Sequence, residues 1–199
     1  MLVLALDTAT PASTAALVEV TADEIRGVVE RRTVDPRAHG EKLAPEIAAV
    51  FEEAGVRARD LGAIVAGVGP GPSTGLRVGL ATAASMGHAL EIPTYGVCSL
   101  DALGRAAGPG RVLVATDARR REVYYATYLD GARVNGPGVA KPADVAAAIA
   151  RAAGGRATVE AAASEGFDAA VGAGGGIVEV RGVDGEGVEV VGEIGRAHV

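Results

Sequence analysis

The chain has no tryptophan, two phenylalanines and one cysteine in 199 residues. With aromatics this scarce, the core is expected to be built from Val, Leu, Ile and Ala, and the 49% apolar content supplies them. The single Cys98 excludes an intrachain disulfide. Lysine occurs only as Lys42 and Lys141, and the formal net charge is −6. A large nucleic-acid footprint needs clustered Lys and Arg. Arg119, Arg120 and Arg121 form the only dense basic run, which reads first as a solvated turn, with a phosphate contact as the alternative. If the protein works on a nucleic acid, another chain is expected to do most of the gripping. No charged segment leads into an apolar stretch at Met1, so no secretory signal is expected. Arg77 and His88 interrupt the one helix of membrane-span length. The expectation is a cytoplasmic protein with no membrane segment.

Glycine, by contrast, is abundant at 29 residues. Residues 64–90 run from an apolar strand through a Gly/Pro loop into a helix with a small residue at every fourth position: Gly75, Gly79, Ala83 and Gly87. Residues four apart share a helix face, and glycine inside a helix costs about 1 kcal/mol relative to alanine. Such a stripe implies close approach by something, either a phosphate at the helix start or an element packed along its length.

Around that segment the pattern predicts strands at Leu2–Leu6, Thr14–Val20 and Ile25–Val34, forming an antiparallel meander with Asp7 at the tip of the first. Helical spacing over His39–Gly55 puts Leu43, Ile47, Val50, Phe51 and Ala54 on one side. Ile64–Val68 is a buried strand, 73–90 a helix, Thr94–Val97 a short strand, and Ser99–Ala107 a helix with Ser99 as N-cap. After Gly108-Pro109-Gly110 the opening pattern restarts. Arg111–Thr116 ends in Asp117 as Leu2–Leu6 ends in Asp7, and Glu122–Leu129 corresponds to Thr14–Val20. The expected fold is therefore α/β: a duplicated βββαβα unit of the type found in the actin, Hsp70 and sugar-kinase superfamily, with domains at 1–110 and 111–199. Pro142–Ala153 reads as one further helix, and IVEVRGVDGEGVEVV as a hairpin around Asp184-Gly185.

The chemistry is sparse. The 67–75 loop lacks the lysine of a P-loop, and Pro72 stands where a dinucleotide fingerprint needs its third glycine. Pro70 and Pro72 also remove two donors, so a rigid strand-to-helix turn is the favoured reading over a nucleotide site. His39, His88 and His198 are far apart, and no Cys or His pair has ligand spacing; each histidine is expected at a surface or helix end. Cys98 has no nearby histidine to activate it and reads as a small hydrophobe. Asp7 and Asp117 could flank a nucleotide cleft, which keeps a small-molecule kinase or ATPase as the alternative function.

Four motifs in order carry a resemblance: ALDTAT, GPGPSTGLRVGLATA, YGVCSLDALG and TDARRREVYYATY. Together with RAHGEKLAPEI, they resemble the TsaB family over roughly residues 1–150. TsaB proteins are non-catalytic partners in bacterial threonylcarbamoyladenosine synthesis on tRNA, related to the catalytic, glycoprotease-like TsaD. The paralogue's His-x-x-x-His metal pair falls here on Ser99 and Leu103, and leucine ligates no metal. The resemblance implies no catalytic residues, no cofactor and no metal. It implies a scaffold or activator for modification at tRNA position 37, an obligate partner of a TsaD-like subunit, joined by a TsaE-like ATPase. The tRNA is then met only indirectly, and a homodimer is expected when the partner is absent. Helices 41–54 and 73–90 are the expected partner surface, through Leu43, Ile47, Leu76, Gly79, Leu80, Ala83, Ala84 and Gly87. From about 155 the chain departs from the family pattern. Glu193–Val199 (EIGRAHV) matches a translated sequencing-adapter string, so an incomplete second domain ending in adapter-derived residues is expected.

Overall fold

The computed structural model describes residues 1–152, 179–183 and 187–191. The chain divides into two units, Met1–Ser99 and Leu100–Val199.

In the first unit, β1 (Leu2–Asp7), β2 (Ala12–Val20) and β3 (Ile25–Val34) form the expected antiparallel meander. β1 also runs parallel to β4 (Leu61–Gly67), and β4 to β5 (Thr94–Val97), giving the order β3-β2-β1-β4-β5. Parallel neighbours require crossovers, and α1 (His39–Ala54) and α2 (Ser73–Leu90) provide them. Alternation along the strands sends Leu4, Leu6, Ala15, Leu17, Ile64 and Ala66 into one core. Leu43, Ile47 and Val50 enter the same core from α1, at i, i+4 and i+7. Burying a side chain such as Leu4 or Leu17 contributes about 1.5–3 kcal/mol. Gly55 ends α1 in the left-handed region at φ 66°.

From Arg111 the second unit repeats the strand–strand–strand–helix order. β6 (Arg111–Arg119), β7 (Glu122–Leu129) and β8 (Ala132–Ala140) form an antiparallel sheet in sequence order, and α4 (Pro142–Ala152) follows. β8 was not expected, because Gly136 and Pro137 interrupt its alternation; it pairs with β7 through two register irregularities. The two meanders also share a local detail. Asp7 Oδ1 accepts the Ala9 N–H at 2.7 Å, and Asp117 Oδ1 accepts the Arg119 N–H at 2.8 Å. Arg120 and Arg121 are the two residues between the paired Arg119 and Glu122. Arg119, Arg120 and Arg121 have φ of 64°, 54° and 62°. Left-handed backbone costs about 1–2 kcal/mol for a residue with a Cβ.

α3 (Ser99–Ala106) corrects the expected boundary at 110, because apart from Ser99 it belongs to the second unit. The fully buried Tyr128 lies against Gly104, and its hydroxyl donates to Asp101 Oδ1 at 2.9 Å. Arg133 meets the same Asp101 oxygen at 3.3 Å. β9 (Glu179–Val183) and β10 (Gly187–Val191) pair antiparallel on either side of the expected hairpin turn. The turn itself, most of the stretch from 155 and the adapter-like residues 193–199 lie outside the described residues.

Candidate functional site

The segment from Gly67 to Leu90 combines the loop and helix on which the sequence concentrates its unusual residues. The loop is consumed by its own framework. The Val68 N–H donates to Val97 O at 2.9 Å, and the Gly69 N–H to Ser99 Oγ at 3.2 Å. The Ser99 N–H returns to Gly69 O at 2.8 Å. Ser99 is the first residue of α3 and not the residue before it, which corrects the N-cap expectation, and its two bonds tie the loop to the start of that helix. Pro70 and Pro72 have no N–H to offer, and a side chain on Gly71 would strike the Ala9 backbone. These ties and the two prolines make the loop a rigid strand-to-helix turn.

α2 has two distinct faces. Its buried residues are Gly75, Gly79, Ala83 and Gly87, the small stripe. The Thr8 hydroxyl donates to Gly75 O at 2.8 Å and accepts the Gly79 N–H at 3.1 Å, bridging the two ends of one i to i+4 step. Gly75 also lies over the His39 ring, whose Nδ1 pairs with Ser13 Oγ at 2.9 Å. Gly87 lies over Thr94 Oγ1. His39 is thus at a helix end, as expected, but buried.

This corrects part of the expected partner surface. Gly79, Ala83 and Gly87 face inward because only small residues leave room for Thr8 and Thr94, and Leu43 and Ile47 are core residues of α1. Leu76 is half-buried against Gly69, while Leu80 and Ala84 are exposed. Arg77, Ala81, Ser85 and His88 extend the exposed side at helical spacing. Thr8, Ser13 and Thr94, which seat the helix, were not singled out from the sequence. The glycine stripe was the available signal, since a bare face demands a close neighbour, but it does not say which residue fills the gap.

Catalytic groups do not gather here. Among the described residues, no group of three or more His, Cys, Asp or Glu is placed to hold a metal ion. Cys98 is a free, half-buried thiol. The resolved electrostatic perturbation lies on the β2–β3 ladder, where a hydrogen bond from the exposed Arg26 guanidinium holds the Glu19 carboxyl below its ordinary range. Among the described residues, no helix is long and apolar enough to cross a membrane.

The family profile described as "TsaD: tRNA N6-adenosine threonylcarbamoyltransferase" matches residues 16–176. The chain belongs to the TsaD family and is TsaB-like. An uncharacterized protein of Mycobacterium tuberculosis is 57% identical to it over 143 residues, which is 72% of this chain and 66% of that protein. The Escherichia coli tRNA threonylcarbamoyladenosine biosynthesis protein TsaB is 35% identical over 64% of this chain and 55% of its own length. The matched part thus spans just under two thirds of the first of these relatives and little more than half of the second. A Pseudomonas aeruginosa structure, described as an uncharacterized protein with similarity to peptidase YEAZ, shares 33% identity at a TM-score of 0.63, covering 71% of this chain and 67% of that one. A second structure, YeaZ from the same organism, gives 32% and 0.58, covering 70% and 66%. The mixed α/β fold of this TsaB-like chain, with parallel strands in its larger sheet, agrees with these neighbours.

Proposed function

We propose that this chain is a non-catalytic subunit in tRNA N6-threonylcarbamoyladenosine synthesis at position 37, acting in the cytoplasm by binding a TsaD-like catalytic subunit. The observation that carries this reading is the orientation of α2. With the glycine face closed on Thr8 and Thr94, the helix turns Leu80 and Ala84 outward beside Leu76. A rigidly seated helix with an exposed apolar strip suits a partner helix, because little ordering entropy remains to oppose docking. The names of the curated relatives supply the pathway. A TsaE-like ATPase joins the pair in this reading, and a homodimer through the same strip forms when the catalytic subunit is absent.

The same reading takes the fold as a duplicated unit of the actin, Hsp70 and sugar-kinase type. The repeated strand order and the matching Asp7 and Asp117 turns support it. Both carboxylates tie down the N–H two residues on, which favours turn-forming roles over a shared metal–nucleotide site. Co-expression with the TsaD-like protein of the same organism tests the assignment. Co-elution and stimulated tRNA modification are expected. Separate monodisperse species at micromolar concentration, or magnesium-dependent ATP binding by the chain alone in calorimetry, would count against it.

A further inference from the structure

By charge alone Arg119, Arg120 and Arg121 read as a solvated turn, but the backbone they occupy gives them another meaning. We propose that this turn is a direct contact for the phosphodiester backbone of a structured RNA. The inference rests on the tRNA reading above and goes beyond it, since that reading leaves the RNA to another chain.

A two-residue hairpin turn with positive φ at both central positions favours Asn-Gly or Gly-Gly. Here those positions hold Arg120 and Arg121, and Arg119 precedes them in the same left-handed region. Turn formation alone gives no reason for three long charged side chains at strained positions; strain of this kind concentrates where a side chain is used. All three are exposed. Among the described residues, none of the three guanidiniums has an ion-pair or hydrogen-bond partner. Of the two flanking carboxylates, Asp117 spends Oδ1 on the Arg119 backbone N–H, and Glu122, next to Arg121, forms no ion pair with the three among the described residues. The chain as a whole is acidic and almost without lysine, so this is its only dense run of cations. The cations are arginines, whose planar forks match phosphate oxygens two at a time. A tight turn holds them in a fixed place, which suits contacts that position a nucleic acid rather than read its sequence.

The test uses the full chain, alone and with its TsaD-like partner, and an unmodified tRNA transcript as probe across a salt series. The variant Arg120→Asn/Arg121→Gly installs the residues the turn prefers while removing two charges. The expected result is a raised thermal midpoint together with at least tenfold weaker transcript binding. The slope of log affinity against log salt should fall in magnitude by about 1.5–2. Arg120→Lys/Arg121→Lys should retain most of that slope. Unchanged affinity and slope in the Asn/Gly variant overturn the proposal. So does loss of binding to poly-glutamate with RNA binding intact, which would assign the turn to an acidic protein. Co-elution with the TsaD-like subunit is read on the same samples. Its absence in the parent chain fails the functional reading, whereas intact co-elution with unaltered RNA binding fails only the role of the turn.

Discussion

The Thr8 hydroxyl occupies the space that a side chain on Gly79 would need: a Cβ built there stands 2.5 Å from Thr8 Oγ1. The helix glycine and the threonine after the β1 tip are therefore one fitted pair, joined by the 3.1 Å hydrogen bond from the Gly79 N–H. Gly79→Ala should destabilise the protein by about 1–3 kcal/mol through overpacking, although alanine is the better helix former by about 1 kcal/mol. Thr8→Ala should relieve much of that loss, since it empties the site and leaves Gly75 O and Gly79 N free to pair within the helix. Urea unfolding of the two single variants and the double variant measures the coupling. Strictly additive losses would show that the two residues are not fitted to each other.

How far the sequence alone reached follows from the range of the interactions. α2 at 73–90, β5 at 94–97 and the opening meander were legible because each is set by local periodicity and Gly/Pro punctuation. β8 was missed because Gly136 and Pro137 break the alternation locally, while pairing with β7 overrides them. The direction of α2 was illegible for a different reason. Its buried stripe is glycine and alanine, flanked by the half-buried Val78, Met86 and Leu90, while Leu76 and Leu80 stand on the other side, so large apolar residues occur on both sides and do not choose between them. What settles it is Thr8, 71 residues from Gly79, and no spacing rule links the two. Domain membership of α3 was likewise decided at a distance, by Tyr128 reaching Asp101 and Gly104.

The exposed side of α2 makes a prediction opposite in kind to that of its buried side. Leu80→Glu should leave the thermal midpoint within a degree or two of the parent, because Leu80 is already 37% exposed. It should weaken association with the TsaD-like subunit by at least tenfold, a loss of about 1.4 kcal/mol. Ala83→Glu, three positions on and 1% exposed, should instead unfold the first unit. Calorimetric titration with the partner, beside thermal melts, separates the two outcomes. Undiminished binding by Leu80→Glu would remove α2 from the interface.

Glu46 offers a stabilising substitution. It lies on the buried arc of α1 with His39 and Val50 and is only 8% exposed, and neither carboxylate oxygen has a hydrogen-bond partner. A buried polar group left unpaired costs about 1–3 kcal/mol. Glu46→Met keeps the length of the side chain and removes the polar atoms, so it should raise unfolding free energy by an amount in that range. Glu46→Gln should gain less, since an amide still lacks partners there. Denaturant midpoints at constant m-value are the readout; destabilisation by methionine would mean that the carboxylate finds a partner in solution.

In the second unit the equivalent test is the clasp between α3 and its sheet. Tyr128 is fully buried and donates to Asp101, which also meets Arg133. Tyr128→Phe keeps the ring over Gly104 and removes the hydroxyl, leaving Asp101 with one fewer donor. A hydrogen bond to a charged group contributes about 1.5–3 kcal/mol, so a loss of that size is expected. Gly104→Ala should act on the same contact from the other side, because a methyl group there would enter the Tyr128 ring. If α3 is held to the second unit by this clasp, both variants should increase amide exchange in α3 and β7 and leave β1, β2 and α2 protected. Exchange that rises equally in all of them would mean that α3 is fixed by the first unit instead, against the division of the chain after Ser99.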